Sequence, residues 1–407
     1  MPRSQSQVPI QLEAIRREAD KCVKCALCAP LCPTYLDSLD ENESPRGRIS
    51  LMQGVAGGQL KLAGALRRHL DHCLDCRACE KVCPSGVRYG ALLDATRALA
   101  PVRAGPRWRL LRRLLVQPGA RWLLHAGAGL LRGVGLGGRL GLPPRRWAGA
   151  PGRMGETHGK VILFAGCSGR LLDAAALDAA RRILARLGYA VAAEATDCCG
   201  ALHLHDGDAD TALALARRNL QGFDALKDGD RDLPLVFLAT GCGAQLKEYP
   251  LLAWQDEEER ARAVAFAEAA QEISAFVAPR LREAALPLRP LAETLYVHEP
   301  CSQRNVLRGS DATYELLSLI PRAEVRALPD NEHCCGGAGS FMLTQARLSR
   351  AVFARKLARI EETMPRPREV ITSNPGCAMM FRRAGMVVRH PLEVIAGQIE
   401  ETITSNE

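Results

Sequence analysis

Half of the sixteen cysteines in this 407-residue chain fall into two copies of one spacing. The first copy reads Cys22-x-x-Cys25-x-x-Cys28-x-x-x-Cys32-Pro33, and the second reads Cys73-x-x-Cys76-x-x-Cys79-x-x-x-Cys83-Pro84. Two-residue gaps let three thiolates wrap one face of a small object, and the proline after the fourth cysteine releases that thiol toward a different one. Disulfides are not expected to be the reason. Met1 to Gln7 lack the apolar core of a secretory signal, so a cytoplasmic setting is expected, where reducing conditions leave sixteen thiols needing another use. Metal binding is the use that fits.

The compact run of four ending in Cys-Pro is the spacing that holds cubane [4Fe–4S] clusters, each iron taking one thiolate. Structural zinc also uses Cys-x-x-Cys, but in two separated pairs. With the fourth cysteines exchanged, one cluster takes Cys22, Cys25, Cys28 and Cys83, and the other takes Cys73, Cys76, Cys79 and Cys32. The 40 residues between the motifs are too many for a short link. Ser44-Pro45-Arg46-Gly47-Arg48 reads as a turn, and Ile49 to Leu70 carries helical apolar spacing despite four glycines. Helices inserted between the motifs point to an α-helical ferredoxin arrangement over residues 1–100. Arg46 and Arg48 are expected to cap or solubilise, the alternative being contact with a cluster's surroundings.

Residues 101–158 form a basic connector. No acidic residue occurs between Asp94 and Glu156, and residues 101–150 hold ten arginines, more than the chain's net charge of +9. Trp108, Leu110, Leu111, Leu114, Leu115, Trp122, Leu123 and Leu124 are interleaved with Arg107, Arg109, Arg112, Arg113 and Arg121. One or two basic amphipathic helices are expected, resting either on an anionic membrane surface or acidic partner or on the protein's own domains. Gly133 to Pro144 reads as a closing loop.

The other eight cysteines repeat at long period. Cys167, Cys198-Cys199-Gly200 and Cys242 form one set, and Cys301, Cys334-Cys335-Gly336 and Cys377 the other, at offsets of 134, 136 and 135 residues. A strand precedes the first cysteine of each set (Val161–Phe164, Thr294–Val297), and an amphipathic segment follows it (Leu171–Leu187, Ala312–Leu319). Helices Thr211–Leu226 and Leu343–Ile360 follow the Cys-Cys-Gly strings, and strands Leu233–Leu238 and Val370–Ile371 lead to Gly241-Cys242 and Gly376-Cys377. Two α/β domains, 159–290 and 291–407, are therefore expected to face each other across a pseudo-twofold axis, with cysteines at strand ends and helix starts. Adjacent glycines, among them Gly166, Gly200, Gly336 and Gly376, let backbone approach a bulky group. Cys167, Cys198, Cys199, Cys242, Cys301, Cys334, Cys335 and Cys377 could hold an iron–sulfur cluster or zinc, or form reactive thiol pairs. His203, His205, His298 and His333 are read as supporting or surface groups, and Glu299 and Glu332 as acids with no nucleophile to serve.

Composition narrows the function. At 47% hydrophobic and 24% charged residues the chain is globular, and 4% aromatic residues leave little for base stacking. No apolar run approaches a membrane span, and no phosphate loop, dinucleotide fingerprint or hydrolase triad occurs. The chain has wiring and no evident site for an organic substrate.

The double motif followed by two Cys-Cys-Gly repeats resembles the iron–sulfur subunit of glycolate oxidase over nearly the whole chain. Local strings that carry the likeness are Cys32-Pro33-Thr34-Tyr35, Pro45-Arg46-Gly47-Arg48-Ile49, Cys83-Pro84-Ser85-Gly86-Val87-Arg88-Tyr89, and Gly241-Cys242-Gly243-Ala244 with Lys247-Glu248-Tyr249. The resemblance implies an FAD subunit that oxidises glycolate to glyoxylate, a second flavoprotein-like subunit, and electron delivery to a quinone or other acceptor. D-lactate is a related substrate, and association with the cytoplasmic face of the membrane is implied. The repeats are also similar to those of heterodisulfide reductases, but Gln245 and Met380 stand where that motif has a further cysteine. The iron–sulfur subunit of anaerobic glycerol-3-phosphate dehydrogenase shares the architecture.

Overall fold

The computed structural model describes residues 7–100, 105–144, 159–195, 197–227 and 233–399. Parts of the connector (101–104 and 145–158) and the side chain of Arg107 lie outside the described residues, as does the N-terminal hexapeptide.

Residues 7–100 form a helical domain, as the insertion between the two motifs implied. Helices Gln7–Ala19, Pro45–Ala56, Gly64–Asp71 and Tyr89–Leu99 enclose a small core of Ile15, Ala19, Ile49, Met52, Leu70, Leu92 and Leu93. Helix Pro45–Ala56 opens with proline at its first position and with the Ser44 hydroxyl accepting from the Gly47 N–H at 3.0 Å, an N-cap worth about 1 kcal/mol. The expected helix over 49–70 is two helices. Gly58, at φ +71°, reverses the chain after Gly57, and Gly64, at φ +55°, begins the second helix.

Each cysteine repeat forms a four-stranded, all-parallel sheet. The first contains β1 (Gly159–Phe164), β2 (Tyr189–Ala195), β3 (Leu235–Phe237) and β4 (Ala270–Glu272) in the order β2-β1-β3-β4. The second contains β5 (Thr294–Val297), β6 (Glu324–Ala327), β7 (Glu369–Ile371) and β8 (Val387–Arg389) in the matching order β6-β5-β7-β8. Val161 to Phe164 are buried without alternation, the signature of a strand covered on both faces. In this order the chain reverses direction across the sheet between β1 and β3, and again between β5 and β7. That switch point opens a crevice at the carboxyl ends of the strands. The sequence reading finds β1, β3, β5 and β7 alone; β2, β4, β6 and β8 are defined by their pairing with those four strands.

The two sheets share one core. Helix Ala174–Arg186 of the first repeat packs on Pro391–Gln398 of the second, and Asp311–Leu317 of the second packs on Ile273–Glu283 of the first. This exchange is the pseudo-twofold relation that the repeat implied. Val161, Leu163, Ile183, Phe276, Leu295, Val297, Leu316 and Ile395 meet in that core, so neither repeat buries its apolar face alone.

Charged contacts dock the helical domain and the connector onto the repeats. Arg77 donates to both carboxylate oxygens of Glu248 at 3.0 and 2.7 Å and also pairs with Glu80 at 3.0 Å. A Cβ at residue 90 would lie 2.3 Å from the Arg77 guanidinium, so a side chain there would push Arg77 aside. The connector forms helices Pro106–Val116 and Arg121–Gly133 and packs on the protein itself. Trp108 Nε1 donates to Asp206 at 2.7 Å, Arg112 pairs with Asp206 and Asp208 at 3.2 Å each, and Ser340 reaches the other Asp206 oxygen at 2.8 Å. Its outer face keeps Leu110, Trp122, Leu123 and Leu130 exposed. Among the described residues no helix is long and apolar enough to cross a membrane.

His205 lies between Asp75 at 3.2 Å and Asp94 at 3.1 Å. Burial alone would disfavour its cation, but the two carboxylates outweigh it and push the imidazole up to about 9. The ordinary histidine value is about 6.5, so this contribution to docking is complete below about pH 6.5 and is lost as pH rises through about 9. Thermal stability of the anaerobic protein should therefore fall across that window, and His205→Leu should flatten the fall; an unchanged slope in the variant would place the pH dependence elsewhere.

Candidate metal centres

In each of the two motifs, the residues on either side of the second cysteine adopt left-handed backbone. Lys24 (φ 58°) and Ala26 (φ 68°) flank Cys25, and Asp75 (φ 52°) and Arg77 (φ 59°) flank Cys76. A non-glycine residue pays roughly 1–2 kcal/mol for that conformation. Four such residues at matching positions mark loops held in shape for a bound group. Successive N–H groups in such a loop turn inward and favour an anionic guest.

Cys22, Cys25, Cys28 and Cys83 line one cavity, which Cys79 also borders, together with Arg46, Ile49, Val87 and Tyr89. Cys25 is exposed at its rim, with Val23 and Leu27 exposed beside it. Burial pushes the Cys28 thiol up to about 11. Cys32 and Cys73 act electrostatically on Cys76 and Cys79, and Cys32 also acts on Cys28; burial, then like charge from Cys301 on Cys76 and from Cys76 on Cys79, push both thiols well above the usual thiol range. Four thiols in that environment cannot ionise together in the absence of a cation. A metal centre supplies that cation, so the donor set fits an iron–sulfur cluster.

Two arginines meet the second set. Arg48, 1% exposed, has Nη1 3.9 Å from Cys32 Sγ and donates to the Glu43 and His69 carbonyls at 2.5 and 2.6 Å and to Thr34 Oγ1 at 3.0 Å. It also pairs with the Glu43 carboxylate, which accepts from His69 at 2.7 Å and His72 at 2.8 Å. Burial alone would raise the Glu43 carboxyl; the His72 bond, the Arg48 charge and the His69 bond outweigh it and hold it below the usual range. Arg97 donates to the Leu70 and Cys73 carbonyls at 2.6 and 3.0 Å, and Tyr89 Oη lies 3.7 Å from Cys73 Sγ. Arg48 thus does more than cap. Arg46 bonds Glu41 at 2.6 Å and the Lys24 carbonyl at 3.2 Å, closing the loop around Cys25.

The repeat cysteines gather at the two switch points. Cys167 follows β1 and Cys242 sits in the first turn of helix Thr240–Lys247 after β3; Cys198 and Cys199 arrive from the end of β2. Cys301, Cys377 and Cys334-Cys335 take the same places after β5, β7 and β6. The thiols form a chain in each set, Cys167–Cys198–Cys199–Cys242 and Cys301–Cys334–Cys335–Cys377, with Cys335 and Cys377 sulfurs 2.9 Å apart. Hydrogen bonds from Cys167 and Cys199 favour the Cys198 thiolate, while the bond to Cys334 and burial push the Cys301 thiol well up. Gly337 and Gly376 are in backbone contact in the second set: a Cβ on either would lie 2.5 or 2.2 Å from the other's carbonyl oxygen. Residue 201, after Gly200 in the first set, is alanine.

Sequence reasoning missed Lys356, Asn305 and the reach of Arg48. Lys356 is buried in helix Ala346–Thr363 and donates to the Asp330 carbonyl and, at 3.2 Å, to the His333 carbonyl. A cation on the apolar Val352-Phe353-Ile360 face was the signal available for it. Asn305 donates to the Cys76 carbonyl at 2.7 Å, tying the helical domain to the second repeat. There Cys76, Cys301 and Cys334 belong to one packed cluster with Leu74, Phe341 and Val352. His333 is held by Asp330 at 2.7 Å, and Glu299 accepts from Tyr314 at 2.8 Å, so both serve structure.

A helical pair of four-cysteine loops joined to two cysteine-lined switch points defines an iron–sulfur protein of the electron-transfer kind. Residues 18–87 match the 4Fe-4S dicluster domain, and residues 161–247 and 295–382 each match the cysteine-rich domain. The chain is 32% identical to the glycolate oxidase iron-sulfur subunit of Escherichia coli (strain K12), over 93% of this chain and 94% of that protein. It is 31% identical to the probable glycolate oxidase iron-sulfur subunit of Bacillus subtilis (strain 168), over 89% and 88%. A lactate utilization protein A of Geobacillus sp. (strain WCH70) is 27% identical over 58% of this chain and 98% of its own length. The chain belongs to the glycolate oxidase iron–sulfur subunit family and is an electron-transfer component of an oxidoreductase complex.

Removing the Arg48 charge would strand Glu43 in the interior, and breaking a buried pair in this way costs about 3–5 kcal/mol. Arg48→Met should therefore lower the denaturant midpoint of the anaerobic protein and its iron content together. A loss below about 1 kcal/mol, within the range of an exposed pair, would mean that His69 and His72 suffice to hold Glu43.

Proposed function

We propose that this chain carries electrons from an FAD subunit that oxidises glycolate to glyoxylate, working beside a second flavoprotein-like subunit, toward a quinone or other acceptor. The supporting observation is the order of the centres in space. Cys25 is exposed with Val23 and Leu27 around it, an apolar rim suited to docking an electron donor. Cys76, a ligand of the inner set, packs against Cys301 and Cys334 of the second repeat. In this reading Cys22, Cys25, Cys28 and Cys83 hold one [4Fe–4S] cluster and Cys73, Cys76, Cys79 and Cys32 the next. The two Cys-Cys-Gly sets hold further iron–sulfur clusters or zinc. Bound clusters of this kind supply one-electron chemistry. The chain's own residues set the environment: Arg48 and Arg97 bring positive charge to the inner thiolates, and Tyr89 shields them. The lactate utilization relatives make D-lactate the second donor to test.

The decisive measurement is EPR of the anaerobic complex before and after glycolate. Substrate-dependent cubane signals are expected, with acceptor reduction abolished in Cys76→Ser while the flavin partner still binds and reduces. Undiminished acceptor reduction in that variant, with its cluster shown to be absent, would rule out this route.

Peripheral attachment to the cytoplasmic face of the membrane through the connector completes the proposal. Leu110, Trp122, Leu123 and Leu130 stay exposed on helices whose sequence carries several arginines and no acid. Binding to phosphatidylglycerol vesicles, weakened by salt and by Trp122→Ser with Leu130→Ser, is the expected result. Equal recovery with phosphatidylcholine vesicles, or none with either, would refute it.

A further inference from the structure

The two Cys-Cys-Gly sites are related by the pseudo-twofold axis, yet they are not chemically equal. Three residues before the first cysteine of each set, the first repeat has Phe164 and the second has His298. Phe164 packs in an apolar cluster with Phe237 and Leu220. His298, 2% exposed, packs edge-on against Phe381, with ring centroids 5.0 Å apart.

The hydrogen bonds around His298 decide which ring nitrogen carries its proton. Asn331 Nδ2 donates to the Val297 carbonyl at 2.9 Å, so Asn331 Oδ1 is the acceptor that faces the imidazole. That oxygen accepts from the Glu299 N–H at 3.1 Å and lies 3.2 Å from His298 Nδ1. Nδ1 therefore holds the hydrogen, and Nε2 presents a lone pair. Nε2 is buried with no hydrogen-bond partner. A ring nitrogen of His298 and the sulfurs of Cys335 and Cys377 all lie within 4.8 Å of one another. With Nδ1 engaged by Asn331, Nε2 is the nitrogen free for a metal. The spacing suits one ion at about 2.0–2.3 Å from each donor. His203 Nε2, near the first set, is likewise buried without a partner, but among the described residues neither His203 nor His205 joins a trio with cysteines.

Met380 stands three residues after Cys377, and its sulfur takes contacts from Ser349 at 4.0 Å and Arg383 at 3.9 Å. The second repeat thus has four cysteines and one orphaned imidazole nitrogen in its crevice. We propose that His298 Nε2 is an iron ligand of the second Cys-Cys-Gly centre, beside Cys335 and Cys377, so that this centre is mixed nitrogen–sulfur while the first is all-thiolate. With Met380 standing where a fifth thiolate would be, a neutral imidazole fills a ligand position without adding negative charge, and histidine in place of cysteine on iron goes with a higher potential. The buried Lys356, at the helical position taken by Asn219 in the first repeat, adds positive charge on the same side. The second centre, against which Cys76 packs, is then the electron-attracting one of the pair. The direction of electron flow rests on the relay reading above; the ligation does not.

The test uses full-length protein, anaerobically purified, reduced with dithionite and labelled with [15N]histidine. Pulsed EPR should show one strongly coupled histidine nitrogen on a signal that disappears in Cys334→Ala. His298→Gln should lose that coupling and lower the midpoint potential at unchanged iron and sulfide content, whereas His203→Gln should keep both. A wild-type second-centre signal without nitrogen coupling overturns the proposal, as does zinc in place of iron there. The wild-type spectrum decides even if His298→Gln fails to fold. Because dithionite replaces the flavoprotein, failure of the ligation is separable from failure of the relay, which would appear as clusters that ignore glycolate.

Discussion

Buried thiols within reach of one another resist joint ionisation, and the rest of this structure is arranged around that constraint. In water ionised thiols would cost little; those that the fold draws together behind apolar walls, Cys198, Cys199, Cys334, Cys335 and Cys377 among them, require compensating positive charge. The protein provides part of it through Arg48, Arg97 and Lys356, each buried and each also bonded to backbone carbonyls near a cysteine set. Those bonds make the cations expensive to remove. The strained loops around Cys25 and Cys76 are a second cost of the same requirement, carried because only a left-handed turn on either side of the middle cysteine brings three thiols to one face.

The same constraint explains why three modules that look separable along the chain fold as one body. The helical domain has a core of modest size and leans on the repeats through Arg77–Glu248, His205 between Asp75 and Asp94, and Asn305 on the Cys76 carbonyl. The connector is the strap: Trp108 and Arg112 converge on Asp206, which also receives Ser340 from the other repeat. These are buried or half-buried polar contacts, so they specify one docking geometry more than they add stability. That geometry places Cys76 against Cys301 and Cys334, on which any transfer between the inner cysteine set and the second repeat depends.

Duplication with divergence accounts for the repeats. Strand order, crossover helices and thiol chains are shared, because the switch point of a parallel sheet serves a bound group in both halves. The differences lie in side chains that face the thiols: Phe164 against His298, Asn219 against Lys356, Ala201 against Gly337. His298 brings a polar ring where the first half has an apolar one, Lys356 a cation where it has an amide, and the close approach of Gly337 and Gly376 tightens that crevice.

The amino-acid sequence by itself determined the local chemistry. Cysteine spacings defined the two helical-domain motifs, the constant offset declared the duplication, and apolar runs such as Val161–Phe164 identified buried parallel strands. These are short-range patterns, legible because each depends on neighbours a few residues away. Boundaries were legible where a cap or glycine marks them, as at Ser44 and Gly58, though only the backbone showed that the segment after Ile49 is two helices. The tertiary structure alone decided what meets across distance: β4 and β8, three residues each, exist through pairing. It also decided that Arg48 turns inward to Cys32, that the connector lies on Asp206, and that the Nε2 of His298 is left without a partner beside Cys335 and Cys377. Such facts depend on burial and on contacts between residues tens to hundreds of positions apart, and no local pattern encodes them.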